Sequence, residues 1–471
     1  MGKLKAFGLL VLVLIFAVLP LQTAKAAVLW NSPTLAEVYN PAGNTYAYAP
    51  TVIRDGSTEH MWSCHNAQAG VVKDHIFYTK IVNGSVIESK SVLEAGPEGA
   101  WDSYHVCDPA IVAGQFLYSG VTYDYALFYL GNDVNASYHN QIGVAFSNDL
   151  SGEWVKYPSP IIEYPNDGYW GVGQPSATSI DGQGGLLLFY TKGDPSATGG
   201  YRVQLNLSDM SAPVIGTSLQ LTNSGLTDSN GNPDWLNNFD MVYDPTRDRF
   251  FAVRDQRPFP SDNPAYISAS LQVVSIEGSF VWGGGGSWKV EGALGSAISG
   301  KPRNHNAALL RTPYGTLPNP AKTEVYFTVS LAGSALSTIP EYTYDIWRVE
   351  GELTDGDSLL EKPLTAFSSK LFSVDRLTHN LNTNVFEIHG SSKKKINQAW
   401  VGYQMFDTRG YLIEAGTAYP NAINEEGKFT IPILKPAGID SQTIRLEVYF
   451  LSAKGQKLSS KSANVSFSFS T

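Results

Sequence analysis

The 471-residue sequence has only two cysteines, Cys64 and Cys107, and few charged residues, 16% of the total. Two cysteines exclude a disulfide-dense scaffold, and although His65 and His105 lie close to them, neither has the spacing of a zinc module. A basic excess is also missing. With a net charge of −10, the chain lacks the cationic face that nucleic acid or an anionic membrane surface requires of a partner. No long segment sustains a helical period. Beyond the N-terminus no apolar run approaches the roughly 18 residues of a spanning helix, so membrane insertion is not expected. The glycines from Gly283 to Gly286 lack the strand-to-helix setting that cradles phosphate, and no nucleotide cofactor is expected.

What is present begins with an export signal. Lys3 and Lys5 precede an apolar run from Ala6 to Leu19, and Ala24-Lys25-Ala26 offers a small-residue cleavage site, so residues 1–26 read as a signal peptide of a secreted protein. In an oxidising compartment Cys64 and Cys107 are expected to pair if their Cα atoms come within about 7 Å.

Aromatic residues at 12%, with 44 glycines and 26 prolines, suit many short strands joined by turns. Those strands repeat. Five segments open on Ala49-Pro50-Thr51, Asp108-Pro109-Ala110, Gln174-Pro175-Ser176, Asp240-Met241-Val242 and Asn306-Ala307-Ala308. From Pro50 to Pro109 is 59 residues, and Pro109 to Pro175, Pro175 to Met241, and Met241 to Ala307 are each 66. Each opening is followed by an apolar strand, such as Leu186–Tyr190 or Val325–Val329, then by a third strand and a fourth. The fourth strands are placed near Leu93, Trp154, Leu219, Trp288 and, for the last segment, Leu359-Leu360. Four strands repeated five times predict an all-β, five-bladed β-propeller over residues 27–370.

The register ends near residue 370. Residues 371–471 carry alternating segments such as Val385–His389, Trp400–Met405 and Ile444–Phe450, as in a small immunoglobulin-like β-sandwich. The run Lys393-Lys394-Lys395 reads as a solvated turn.

In a propeller the residues that open the innermost strands converge on one funnel. That set is Ala49, Asp108, Gln174, Asp240 and the pair His305-Asn306. Carboxylates, amides and imidazole facing one cavity suit a polyhydroxylated ligand, and aromatics nearby in sequence, including Trp62 and Trp170, offer faces on which sugar rings stack. Asp108 and Asp240 are the candidate catalytic carboxylates. Gln174, Asn306, Trp62, Trp170 and His65 are candidates for substrate binding. Asp74, Asp102, Asp255 and Glu163 also fall near predicted strand ends.

The ordered series Ala-Pro-Thr-Val-Ile, Asp-His-Ile-Phe-Tyr, Cys-Asp-Pro-Ala-Ile-Val and Gly-Gln-Pro-Ser, within residues 40–365, resembles the propeller glycosidases of glycoside hydrolase families 43 and 32. The resemblance implies hydrolysis of an arabinan-, xylan- or fructan-class carbohydrate by paired carboxylates, with no required cofactor. In family 43 an Asp opening blade one is the base, an Asp in blade two tunes its partner, and a Glu in blade three is the acid. Here Asp108 matches the second, whereas Ala49 and Gln174 stand at the other two. From related arabinanases, His305 is a candidate to hold a calcium ion, or its waters, on the axis. Two alternatives stand beside hydrolysis: a non-catalytic carbohydrate-binding propeller, and a surface or matrix interaction protein using the C-terminal domain. Sialidase-type turns are absent, Ser147–Trp154 being only a partial echo. A monomer is expected.

Overall fold

The structure, a computed structural model, describes residues 27–193 and 198–354 continuously and, beyond them, strands and short segments between 359 and 468. The signal-peptide segment and the Lys393–Lys395 turn lie outside the described residues. The described chain is almost entirely β, and no described helix is long and apolar enough to cross a membrane.

Five antiparallel sheets carry the repeat, each running from an innermost to an outermost strand. Blade one is Ala47–Asp55, Thr58–Asn66, Asp74–Val82 and Ser85–Leu93. Blade two is His105–Tyr118, Val121–Asn132, Gln141–Ser147 and Val155–Lys156. Blade three runs through Val172–Ser179, Gly185–Lys192 and Gly199–Asn206 to the short Val214–Ile215 and Leu219–Gln220. Phe239–Asp244, Arg249–Gln256, Ser270–Glu277 and Lys289–Leu294 form blade four. Innermost strands touch in cyclic succession, blade five against blade one closing the ring. This is a five-bladed propeller.

Blade five departs from expectation. Its strands are Arg303–Leu309, Lys322–Ser330 and Asp345–Thr354, and its outermost is Ala27–Tyr39 from the other end of the described chain. Ala27 pairs with Thr354 and Tyr39 with Ile346. Leu359-Leu360, expected as the fourth strand here, instead lies in Leu359–Lys362 and pairs with Phe372–Asn380 in a separate sheet. Ring closure is a pairing between distant segments, and nothing local in either segment announces it.

Each blade buries both faces, which is why its second strand carries a buried stretch that is mostly apolar in blades two to five. Side chains from adjacent blades fill the wedge between them: Trp62, Tyr78, Leu127 and Tyr129 between blades one and two, and Phe128, Phe146, Leu186 and Leu188 between two and three. Each such fully buried side chain contributes about 1.5–3 kcal/mol. Beyond Thr354 the described strands fall into two further antiparallel sheets, and the expected segments Val385–His389, Trp400–Met405 and Ile444–Phe450 are strands within them.

Candidate active site in the propeller funnel

At the mouth of the ring the innermost strands share one backbone device. Ala49, Asp108, Gln174, Asn238 and Asn306 all have positive φ, between 44° and 50°. In four blades this residue starts a β-bulge, marked by register shifts at Tyr48/Thr51, Cys107/Ala110, Gly173/Ser176 and His305/Ala308. Proline follows in blades one to three. The innermost strand has a free edge toward the axis, so the missing N–H of proline is tolerated there. A left-handed conformation costs a residue with a Cβ roughly 1–2 kcal/mol. Its recurrence around one opening marks the mouth as a built site.

The device corrects the assignment in blade four. The residue at the mouth is Asn238, and Asp240 lies one layer down the axis, level with Thr51, Ala110, Ser176 and Ala308, each two residues past its own bulge. Asp240 pairs with the fully buried guanidinium of Arg311 and accepts hydrogen bonds from Ser176 Oγ at 2.8 Å and the Leu309 N–H at 2.8 Å. A carboxylate so paired holds blades three, four and five together, and its oxygens are taken up in that bonding. Asp240 is absent from the wall of the cavity above this layer.

Above this layer opens a cavity of about 620 Å³. Of the expected residues, Asp108, Gln174, Asn306, Trp170 and His305 line it. Trp62 does not: it is fully buried, its ring 6.5 Å from Trp154 and 5.5 Å from Tyr78 between blades one and two. His65 is also buried, stacked on Phe77 at 4.1 Å, with Nδ1 2.8 Å from the Asn66 carbonyl, and stands outside the cavity lining. Both are structural. A period-2 strand sends its neighbours to opposite faces, and sequence proximity to the funnel does not say which face a side chain takes.

Three carboxylates that sequence placed only near strand ends, or did not single out, join Asp108 at the cavity wall: Asp74, Asp255 and Glu341. Asp255 comes from the second strand of blade four. Its Oδ2 accepts the side-chain N–H of Asn238 at 2.8 Å and its Oδ1 the backbone N–H of Asn306 at 3.1 Å. Asp108 does the same between blades two and three, Oδ2 accepting the Gln174 N–H at 3.2 Å. Burial pushes the Asp108 carboxyl up to about 7, opposed by the Gln174 N–H and assisted by the charge of Asp74. Burial likewise pushes Asp255 up to about 7, against the bonds from Asn238 and Asn306 and the charge of Arg254. The funnel thus presents two carboxyls that exchange protons near neutral pH.

Asp74 is different. Tyr46 and Tyr48 donate to it at 2.6 and 3.0 Å, and His105 Nδ1 lies 2.8 Å from its Oδ2. Burial raises both phenols well above their ordinary range, so they remain donors. Trp170 also lines the cavity. A Cβ on Gly193 would stand 2.5 Å from Trp170 Nε1, so glycine there gives the indole its place.

Cys64 and Cys107 are joined in a disulfide with a Cα separation of 4.9 Å, stapling the second strand of blade one to the first of blade two. The one cluster of metal-ligating residue types among the described residues is Cys64, Cys107 and Asp108, and its sulfurs are consumed by that bond. His305 Nε2 is buried without a partner, while Nδ1 is 2.6 Å from Asn306 Oδ1. Burial pushes this imidazole down to about 4, so it is neutral. It is one nitrogen with no group of carboxylates gathered around it among the described residues. Calcium takes six to eight oxygens, so an ion held beside His305 would keep waters as most of its ligands.

No protein-family model matches the sequence, and no curated protein matches it. Among solved structures the chain is similar to a family 117 glycoside hydrolase of the marine bacterium Zobellia galactanivorans, at 11% identity and TM-score 0.48, over 70% of this chain and 91% of that one. It is similar to the catalytic domain of a GH62 alpha-L-arabinofuranosidase of Coprinopsis cinerea, at 10% identity and TM-score 0.45, over 69% and 97%. A third is the GH32 beta-fructofuranosidase of Bombyx mori, at 11% identity and TM-score 0.41, over 93% and 90%. The fold itself is read from the five sheets. It is the architecture that the sequence resemblance implied.

Proposed function

We propose that this chain is a secreted glycoside hydrolase-like protein that cleaves a poly- or oligosaccharide of the arabinan, xylan or fructan class, with Asp108 and Asp255 exchanging the protons. One observation carries the reading: two desolvated carboxyls, each titrating at about 7, face one cavity whose wall includes the indole of Trp170. At neutral pH the protonated member gives its proton to the leaving glycosidic oxygen. The ionised member serves the anomeric carbon as base or nucleophile. Gln174 and Asn306 offer amide groups to sugar hydroxyls, and the two sheets beyond Thr354 serve as an immunoglobulin-like stabilising module.

The mouth positions held by Ala49 and Gln174, where the resemblance expects base and acid, favour a second reading, a carbohydrate-binding propeller without turnover. Reducing-sugar release from arabinans, xylans, fructans and galactans separates the two. Hydrolysis by the wild type, lost in both Asp108→Asn and Asp255→Asn, supports the first. Glycan binding without release by any of the three supports the second.

A further inference from the structure

Asp108 is flanked by the disulfide on both its backbone and its carboxyl. Cys64 Sγ accepts the Asp108 N–H at 3.0 Å, and the sulfurs of Cys64 and Cys107 lie 4.0 and 3.5 Å from Asp108 Oδ1. Cys64 is fully buried and Cys107 is 4% exposed. While the bond is intact neither sulfur carries a hydrogen, so at this oxygen the carboxyl meets polarisable sulfur and no donor. The other oxygen receives one donor, the Gln174 N–H. The titratable groups facing Asp108 from blade one are Asp74 and Tyr48, an anion and a neutral phenol, and no lysine or arginine is among its electrostatic partners.

We propose that the Cys64–Cys107 disulfide is a positioning element that sets how tightly Asp108 holds its proton: intact, it withholds hydrogen bonds from the ionised carboxylate, and opened to two thiols it supplies them. The proposal rests on the reading of Asp108 as a proton-exchanging group. Opening by a dithiol reductant transfers two electrons and two protons to the sulfur pair, and the reductant closes to its own cyclic disulfide. Each S–H is then a donor within reach of Oδ1. Donors to the charged form favour it, so Asp108 ionises at lower pH and the funnel holds less of its acid form at neutrality.

Three full-length proteins test this: the wild type, Cys64→Ser/Cys107→Ser, and Cys64→Ala/Cys107→Val. Both double variants lose the crosslink. The serine pair brings donors, whereas the alanine–valine pair fills the space without them. Titration of the Asp108 carboxyl is followed by carbon NMR of aspartate-labelled protein, with Asp108→Asn for assignment. The serine pair is expected to weaken proton binding by about tenfold or more, and the alanine–valine pair to stay within about threefold of the wild type. Equal shifts in the two double variants, or none with serine, overturn the proposal. Wild-type protein opened with dithiothreitol gives the thiol state directly if a double variant fails to fold, and must show the same downward shift. A wild type that releases no sugar while serine and alanine–valine titrate apart defeats the hydrolase reading and leaves the tuning intact. Sugar release with identical titrations does the reverse.

Discussion

Asn238 donates its side-chain amide to Asp255 Oδ2 at 2.8 Å, joining the mouth of blade four's innermost strand to a carboxylate on the strand beside it. This bond favours the ionised form of Asp255 and works against the burial that raises it. In the proposed mechanism turnover needs one of Asp108 and Asp255 protonated and the other ionised, and burial pushes both up to about 7. The rate is therefore expected to peak near neutral pH and to fall about tenfold per unit well beyond either limb. Asn238→Ala removes a donor to the charged carboxylate, so one limb moves to higher pH while the other stays. A pH profile of kcat/KM checks both the shape and the direction.

Trp62 and Trp170 were alike in sequence and are opposite in place. Trp62→Ala is expected to cost about 3–5 kcal/mol of stability through the cavity left between blades one and two. Folded Trp62→Ala protein binds glycan as the wild type does. Trp170→Ala leaves the unfolding midpoint nearly unchanged and weakens glycan affinity by about tenfold, the scale of one lost aromatic stack. Denaturant unfolding and calorimetric titration of the two variants read the contrast.

Breaking the axial ion pair is a stability experiment. Asp240→Ala strands the fully buried Arg311 without its counter-charge, at an expected cost of about 3–5 kcal/mol. The double variant Asp240→Leu/Arg311→Met recovers much of that loss, because an apolar pair of similar size needs no counter-charge. Urea midpoints of the two variants and the wild type decide the matter. Failure of the double variant to recover stability shows that Ser176 and the Leu309 N–H need the carboxylate as well.

Deletion of Ala27–Tyr39 removes the outermost strand of blade five. The expected result is loss of cooperative unfolding, since Asp345–Thr354 then presents an unpaired edge and Val28 and Trp30 are lost from the core between blades four and five that includes Leu271, Leu294 and Leu353. Thermal melts followed by circular dichroism measure it. A deletion variant that melts like the full chain shows that the ring closes without this strand.

The sequence by itself determined the all-β class, the five repeats and most of their strands. Alternation, apolar second strands and X-Pro openings are local signals with a fixed period. It also identified Asp108, Gln174, Trp170 and Asn306 as residues of one funnel, because a repeat that builds a ring must bring its equivalent positions to the axis.

Tertiary structure decided the rest. The 66-residue spacing points to Asp240, yet the positive-φ residue of blade four falls two residues earlier, at Asn238. A shift of two leaves every side chain on the same face, so no hydrophobic pattern detects it. Asp255 holds its proton more tightly through desolvation, a property of what surrounds it. The closing strand Ala27–Tyr39 is likewise defined by a partner more than 300 residues away. Period and polarity are written along the chain, whereas burial, charge pairing and ring closure exist only once distant segments meet.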